Sequence, residues 1–189
     1  MAEPAPSRMT YEEYLAAEAT SETKHEYLRG EVFAMAGGTP AHARLAMAVG
    51  HALMTALAGR PCAVFGSDLR VRIEDTDLST YPDLIVVCGS FEPAKIDANA
   101  ATNPTLIVEI LSDSTEAYDR GQKFAHYRQL PSLREYLLVS QREPRLESYF
   151  RNEAGEWVLT EARAGESLLL RSLEAVRLET DAIYHDPLA

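Results

Sequence analysis

The stretch that decides the fold is Thr105-Leu106-Ile107-Val108-Glu109-Ile110-Leu111. Apart from Glu109, every residue in it is apolar or β-branched, the signature of a strand buried on both faces. A helical segment follows over about residues 115–130, with Ser114 or Thr115 as its N-cap and Pro131 just past its end. Tyr136-Leu137-Leu138-Val139 is then a further apolar run. Strand, crossover helix and strand predict a parallel βαβ unit of right-handed connection.

Upstream, Asp83-Leu84-Ile85-Val86-Val87-Cys88 is a second continuous apolar strand. Residues 62–74 read as a half-exposed one: Leu69, Val71 and Ile73 alternate with Asp68, Arg70, Arg72 and Glu74. Residues 41–58 form the clearest helix, with Leu45, Val49, Leu53 and Leu57 four apart, stopped by Gly59-Arg60-Pro61. Thr10 and Glu13 make a capping box for a short helix carrying Tyr11, Tyr14 and Leu15. Lys24–Leu28 reads as a helical turn before a strand at 31–35, and Gly37-Gly38-Thr39-Pro40 as a loop. A hairpin of 145–150 with 156–162 closes around Asn152–Gly155, and the chain ends in a short strand and a helical turn. Residues 1–9 form a loose tail on a single domain spanning 1–189.

The 189 residues suit one domain with its own core. Eighteen basic against 29 acidic residues give a net charge of −11. That argues against coating nucleic acid by bulk charge, though not against local contact through a metal ion and a few arginines. Cys62 and Cys88 are the only cysteines. They exclude a disulfide scaffold and point to a reducing interior. No apolar run approaches a membrane span, and the N-terminus lacks the apolar segment of a secretory signal. A cytoplasmic protein without membrane contact is the expectation.

Two residues contradict their surroundings. Asp83 opens one apolar strand, and Glu109 interrupts another. A buried carboxylate is costly unless a cation or hydrogen bonds compensate it. Glu109 shares a strand face with Ile107 and Leu111, and Asp83 with Ile85 and Val87. On neighbouring strands the two acids would meet at one end of the sheet. Mg²⁺ favours such oxygen ligands, takes few protein carboxylates and keeps several waters; one water can become the nucleophile. A buried acid paired with a base accounts for the pattern as well, and both readings stand at this point. Asp119 and Lys123 sit at i, i+4, as do Lys123 and Tyr127. They are either an exposed ion pair or a means of leaning Lys123 over the acids, where it would hold the attacking water or stabilise phosphate charge.

Pro82-Asp83, Glu109-Ile110-Leu111 and the residues around them resemble the PD-(D/E)XK nuclease superfamily, with Leu111 where its motif has lysine. The resemblance is closer to one family within it, the Uma-two (Uma2) restriction-endonuclease-like proteins, formerly a domain of unknown function. It covers nearly the whole chain: Met9–Leu15, Glu26–Val32, His42, Ser67–Val71, Tyr81–Leu84, Val108–Ser112, Asp119 with Lys123, and Glu135-Tyr136. It implies an α/β, restriction-endonuclease-like core: a central mixed β-sheet flanked by helices, with a C-terminal β-hairpin. It implies that the missing lysine is supplied by Lys123 from the following helix. The metal ligands it implies are Asp83, Glu109, the carbonyl of Ile110, and Glu26, which could instead orient water. The implied reaction is Mg²⁺-dependent hydrolysis of DNA phosphodiesters, with Mn²⁺ as a substitute, by a homodimer.

Other readings remain open beside this one. A non-catalytic, dimeric binding protein that keeps the fold fits the net charge and Leu111. A hydrolase of smaller phosphodiesters fits the acidic surface. His42 suits a local structural bond better than a phosphate contact, and Tyr127 suits packing. Arg70 and Arg72 either grip phosphates or pair with Asp68 and Glu74. The remaining histidines lack zinc-ligand spacing, and Gly37-Gly38 lacks the partners of a nucleotide cradle.

Overall fold

In the computed structural model, which describes residues 8–35, 37–174 and 176–188, the first element is helix α1 (Tyr11–Glu18). Its capping box is the expected one: Thr10 Oγ1 accepts from the Glu13 N–H, and Glu13 Oε2 accepts from the Thr10 N–H at 2.7 Å. Of the expected tail, residues 1–7 lie outside the described residues. Strands β1 (His25–Leu28) and β2 (Glu31–Ala34) form an antiparallel hairpin, where a helical turn was expected for 24–28. The reason lies between them. Arg29 and Gly30 take φ values of 52° and 91°, and consecutive positive-φ residues match the twist of a tight hairpin. Helix α2 (Pro40–Ala56) then starts from Thr39, whose hydroxyl accepts from the His42 N–H.

The strand expected over 62–74 is two strands, β3 (Cys62–Gly66) and β4 (Arg70–Ile73), which belong to different sheets. After them come β5 (Leu78–Thr80), β6 (Leu84–Cys88), β7 (Pro93–Ala94), β8 (Asp97–Ala101) and β9 (Leu106–Leu111). The crossover helix is α3 (Glu116–Tyr118), a π-helical turn (Asp119–Lys123) and α4 (Phe124–Tyr127). The chain finishes with β10 (Glu135–Ser140), the hairpin β11 (Arg145–Arg151) and β12 (Trp157–Arg163), β13 (Ser167–Leu170), β14 (Val176–Glu179) and α5 (Thr180–Tyr184).

The strands make a six-stranded sheet β2-β1-β5-β4-β8-β7, a second, β12-β11-β10-β9-β6-β3, and the pair β13-β14. Both large sheets are mixed, with parallel pairs β4–β8 and β9–β10. The architecture is therefore the expected mixed α/β core flanked by helices, with its strands shared between two sheets. The second sheet is covered on both faces. Leu45, Val49 and Leu53 of α2 and the β13–β14 pair pack on Val86, Val108, Ile110 and Val139. On the other face, Ile85, Ile107 and Leu138 meet Phe124 and Tyr127 of α4 and Val71, Ile73 and Leu78 of the first sheet. Double coverage explains the unbroken apolar runs of β6 and β9. Cys62 and Cys88, directly opposed on β3 and β6, are joined by a disulfide that adds one cross-link to the sheet without making a scaffold. No helix among the described residues is long and apolar enough to cross a membrane.

A buried acid far from the expected site ties the C-terminal segment down. Glu135 is fully buried. Its carboxylate accepts from Ser148 Oγ (2.6 Å), Ser172 Oγ (2.7 Å) and the Ser172 N–H (3.0 Å). Replacing Glu135 with leucine strands those buried donors, so urea unfolding should show a loss of about 3 kcal/mol or more. Glu135→Gln, which keeps an acceptor, should lose less.

Candidate active site

The acids meet because of register. β6 runs antiparallel to β9 with Leu84 opposite Val108 and Ile85 opposite Ile107. One step further, Asp83 falls opposite Glu109, at the same end of the sheet. Asp83 Oδ2 accepts the Ile110 N–H at 2.7 Å, and Oδ1 lies 3.2 Å from His42 Nε2 at the start of α2. Glu26 arrives from the other sheet, on β1, where Thr80 of the neighbouring β5 donates a short hydrogen bond to its carboxylate.

Lys123 stands where these groups converge. Its ammonium is 3.0 Å from Glu109 Oε1, 3.2 Å from Glu26 Oε1 and 3.6 Å from Asp119 Oδ1, and its side chain is only 6% exposed. The π-helical turn matters here. Asp119, Lys123 and Tyr127 are four apart, and an α-helix would rotate each successive side chain off the face. The wider turn at Asp119–Lys123 offsets that drift, and all three side chains are buried against the sheet. Tyr127 donates its hydroxyl to Glu109 Oε1 at 2.7 Å, and the Tyr136 hydroxyl donates to the Asp119 carbonyl. Tyr127, expected as packing alone, is thus also a direct partner of the central acid.

The electrostatics follow from burial. Desolvation pushes the Glu109 carboxyl up to about 8; Lys123 opposes this, while Asp83 and Asp119 add to it. Burial likewise raises Asp119. For Lys123 burial favours the neutral amine, but Glu109, Glu26 and Asp119 outweigh it and hold the ammonium above its ordinary value. The hydrogen bond to Asp83 raises His42.

Of the residues read from sequence, Glu26 and Glu109 therefore both contact Lys123, and Asp83 and Ile110 adjoin Glu109. Asp119 joins the cluster instead of forming a solvent-exposed pair. Thr80, on a strand the sequence pattern did not reveal, was missed; its only signal was proximity to Tyr81-Pro82-Asp83. Arg70 and Arg72 do not face this site. Arg70 is bidentate to Asp97 (2.8 Å) and Arg72 reaches Asp77 (2.5 Å). Both lie on the opposite face of the first sheet, Arg72 over Tyr11 and Tyr27 and Arg70 against Tyr81. They are paired, but not with Asp68 and Glu74: Asp68 pairs with Lys24, and Glu74 with Lys95.

Four carboxylates here face one ammonium and one imidazole. That surplus of negative charge in a largely dehydrated place, with Glu109 held above its ordinary range, is a donor set that a hard divalent cation would relieve. Among the described residues no three His, Cys, Asp or Glu side chains are spaced to cage a metal unaided. A cation would instead rest on Asp83 and Glu109, with main-chain oxygen and water completing its shell, as Mg²⁺ commonly does.

A pH dependence follows. The raised acids Glu109 and Asp119 bind protons more tightly folded than unfolded, so they destabilise the metal-free protein as pH rises from about 5 to about 8. His42, also raised, acts in the same direction. The Lys123 contribution is constant there, since it is lost only above the lysine's unfolded value of 10.5. Chelated wild type should therefore have a lower urea midpoint at pH 8 than at pH 5.5. Lys123→Met should widen that gap, with a loss of about 3–5 kcal/mol at pH 8. An equal loss at both pH values would contradict the described coupling.

Residues 11–181 match the family Uma2, described as "Putative restriction endonuclease". Two proteins of Synechocystis sp. are similar: "Uncharacterized protein slr1290", 36% identical over 94% of this chain and 92% of its own, and "Uncharacterized protein sll1609", 37% identical over 81% and 86%. The fold is similar to the crystal structure of "a putative nuclease belonging to DUF820" from Anabaena variabilis. The TM-score is 0.74 at 16% identity, over 93% of this chain and 97% of that one.

Proposed function

The chain belongs to the Uma2 family, and from that premise we propose that it is a metal-dependent endonuclease hydrolysing phosphodiester bonds of DNA. The family's description supports a nuclease, and the fold is similar to that of a "putative nuclease"; the chemistry rests on the chain's own residues. The observation that carries it is the Lys123 ammonium, 3.0 Å from Glu109 in a buried cluster whose open end carries Asp83. It supports reading the lysine absent at Leu111 as supplied by the next helix.

Asp83, Glu109 and the carbonyl of Ile110 are the groups that would hold Mg²⁺ or Mn²⁺, with Glu26 as a further ligand or as the group orienting water. The bound cation supplies a water of lowered pKa and neutralises charge on the phosphate. The chain's residues do the rest. Lys123 holds the attacking water through its ammonium hydrogens and stabilises the extra negative charge of the pentacovalent transition state. Tyr127 fixes the orientation of Glu109, and Thr80 that of Glu26. His42 holds Asp83 at the rim. A homodimer, presenting two such sites to the two strands, and a cytoplasmic place of action belong to the same reading; there Cys62 and Cys88 would stand as a dithiol.

Supercoiled plasmid with Mg²⁺ or Mn²⁺ tests it. Wild type should nick the plasmid and chelation should stop it. Asp83→Asn and Lys123→Met, purified identically, should each lose at least about 10²-fold in rate. Equal nicking by all three proteins would mean contamination and would remove the proposal. A folded, plasmid-inert wild type that hydrolyses a small chromogenic phosphodiester would move the substrate class.

A further inference from the structure

Beyond the acid cluster, past the end of the helix that carries Lys123, lies an open groove of about 400 Å³. It is lined by Arg128 and Gln129 after α4, Arg134 before β10, and Arg151 and Asn152 at the turn of the C-terminal hairpin. Glu153 is a carboxylate at its margin. Elsewhere most bases of this acidic chain are paired with its acids among the described residues, while Arg29, Arg60 and Arg177 donate to carbonyl or hydroxyl oxygens and Arg171 lies over Phe150. Lys24, Lys95, Lys123, Arg70, Arg72, Arg120 and Arg145 all sit in ion pairs. Arg128, Arg134 and Arg151 do not form an ion pair among the described residues.

Their placement is held by structure. The Arg128 guanidinium lies 5.1 Å from the Phe124 ring centroid. The Arg151 N–H donates to the Arg134 carbonyl at 2.8 Å, which sets β11 and the start of β10 side by side. Register puts the groove on the catalytic face. Glu109 is opposite Leu138, two residues from Tyr136; Tyr136 is opposite Tyr149, two residues from Arg151. From Leu138 back to Arg134 the strand runs about 13 Å beneath the buried Tyr136 and Phe124, so the groove opens at the end of the crossover helix remote from Asp83 and a bound strand would reach it around that helix. A net charge of −11 repels a polyanion at long range, so attraction must come from a local group of unpaired guanidiniums, whose planar forks suit phosphate oxygens.

We propose that this arginine groove binds backbone phosphate of the nucleic-acid strand flanking the bond cleaved at Lys123 and Glu109; this rests on the nuclease reading above. Binding is measured by fluorescence anisotropy of a labelled oligonucleotide in the cleavage-deficient Asp83→Asn protein with Mn²⁺. Arg134→Gln and Arg151→Gln should each weaken binding about tenfold, and together flatten the slope of log affinity against log salt by about 2. In the Asp83-intact protein, the same two variants should leave hydrolysis of a small chromogenic phosphodiester unchanged, since it cannot span to the groove.

Unchanged affinity and slope would overturn the groove, and if wild type still cut plasmid the nuclease reading would survive alone. Arginine-dependent binding with no cleavage by wild type would overturn the nuclease reading and leave the groove as a nucleic-acid site. Calorimetric binding of inorganic phosphate at these arginines, with no binding of the oligonucleotide, would overturn the proposal in favour of a small-anion site.

Discussion

One buried ammonium among carboxylates is the constraint around which this molecule is arranged. Lys123 draws Glu109 from one sheet, Glu26 from the other and Asp119 from its own helix. None of these acids would be comfortable there alone, because desolvation penalises each charge by several kcal/mol. Together with one cation they are tolerated, and the two sheets and the crossover helix are locked at their common junction. The pairing does not neutralise the site. Carboxylates remain in excess, and burial raises Glu109 well above its ordinary value.

That imbalance connects fold to chemistry. A core built only for stability would have apolar residues here, and such replacements are commonly neutral or stabilising. The strand order instead delivers two carboxylates to one end of β6 and β9, the π-helical turn aims Asp119, Lys123 and Tyr127 at them, and Thr80, Tyr127 and His42 hold the acids in fixed orientations. Glu26, Glu109 and Asp83 thus each have a partner of their own, which is what a site needs if its geometry is to be ready before substrate arrives. The disulfide and Glu135 serve a different end, fastening edges and the C-terminal segment away from the chemistry.

Much of this was legible in the residues. Glu109 inside Leu-Ile-Val-Glu-Ile-Leu and Asp83 after Pro82 announced themselves by being charged where the pattern demands apolar side chains. The helix with Asp119 and Lys123, the βαβ unit and the C-terminal hairpin followed from periodicity and turn residues. What stayed hidden depended on contacts distant in sequence. β5 and β8 are short and their residues, such as Ser79, Thr80 and Ala100, carry little strand signal. β1 reads as a helical turn because Arg29, a non-glycine at positive φ, disguises the hairpin. The partners of Arg70 and Arg72 come from Asp97 and Asp77, and no local spacing points to them. The π-helical turn has no sequence signature at all, so the convergence of Tyr127 with Lys123 could be seen only in three dimensions.

Anomalous diffraction from crystals grown with Mn²⁺ would reveal whether the two strand acids hold a cation. A manganese peak should stand within coordinating distance of both the Asp83 and Glu109 carboxylates, with Lys123 still adjacent. Crystals with ample manganese but no peak between those two acids, or with the ion bound elsewhere and the ammonium bridge unaltered, would contradict that site.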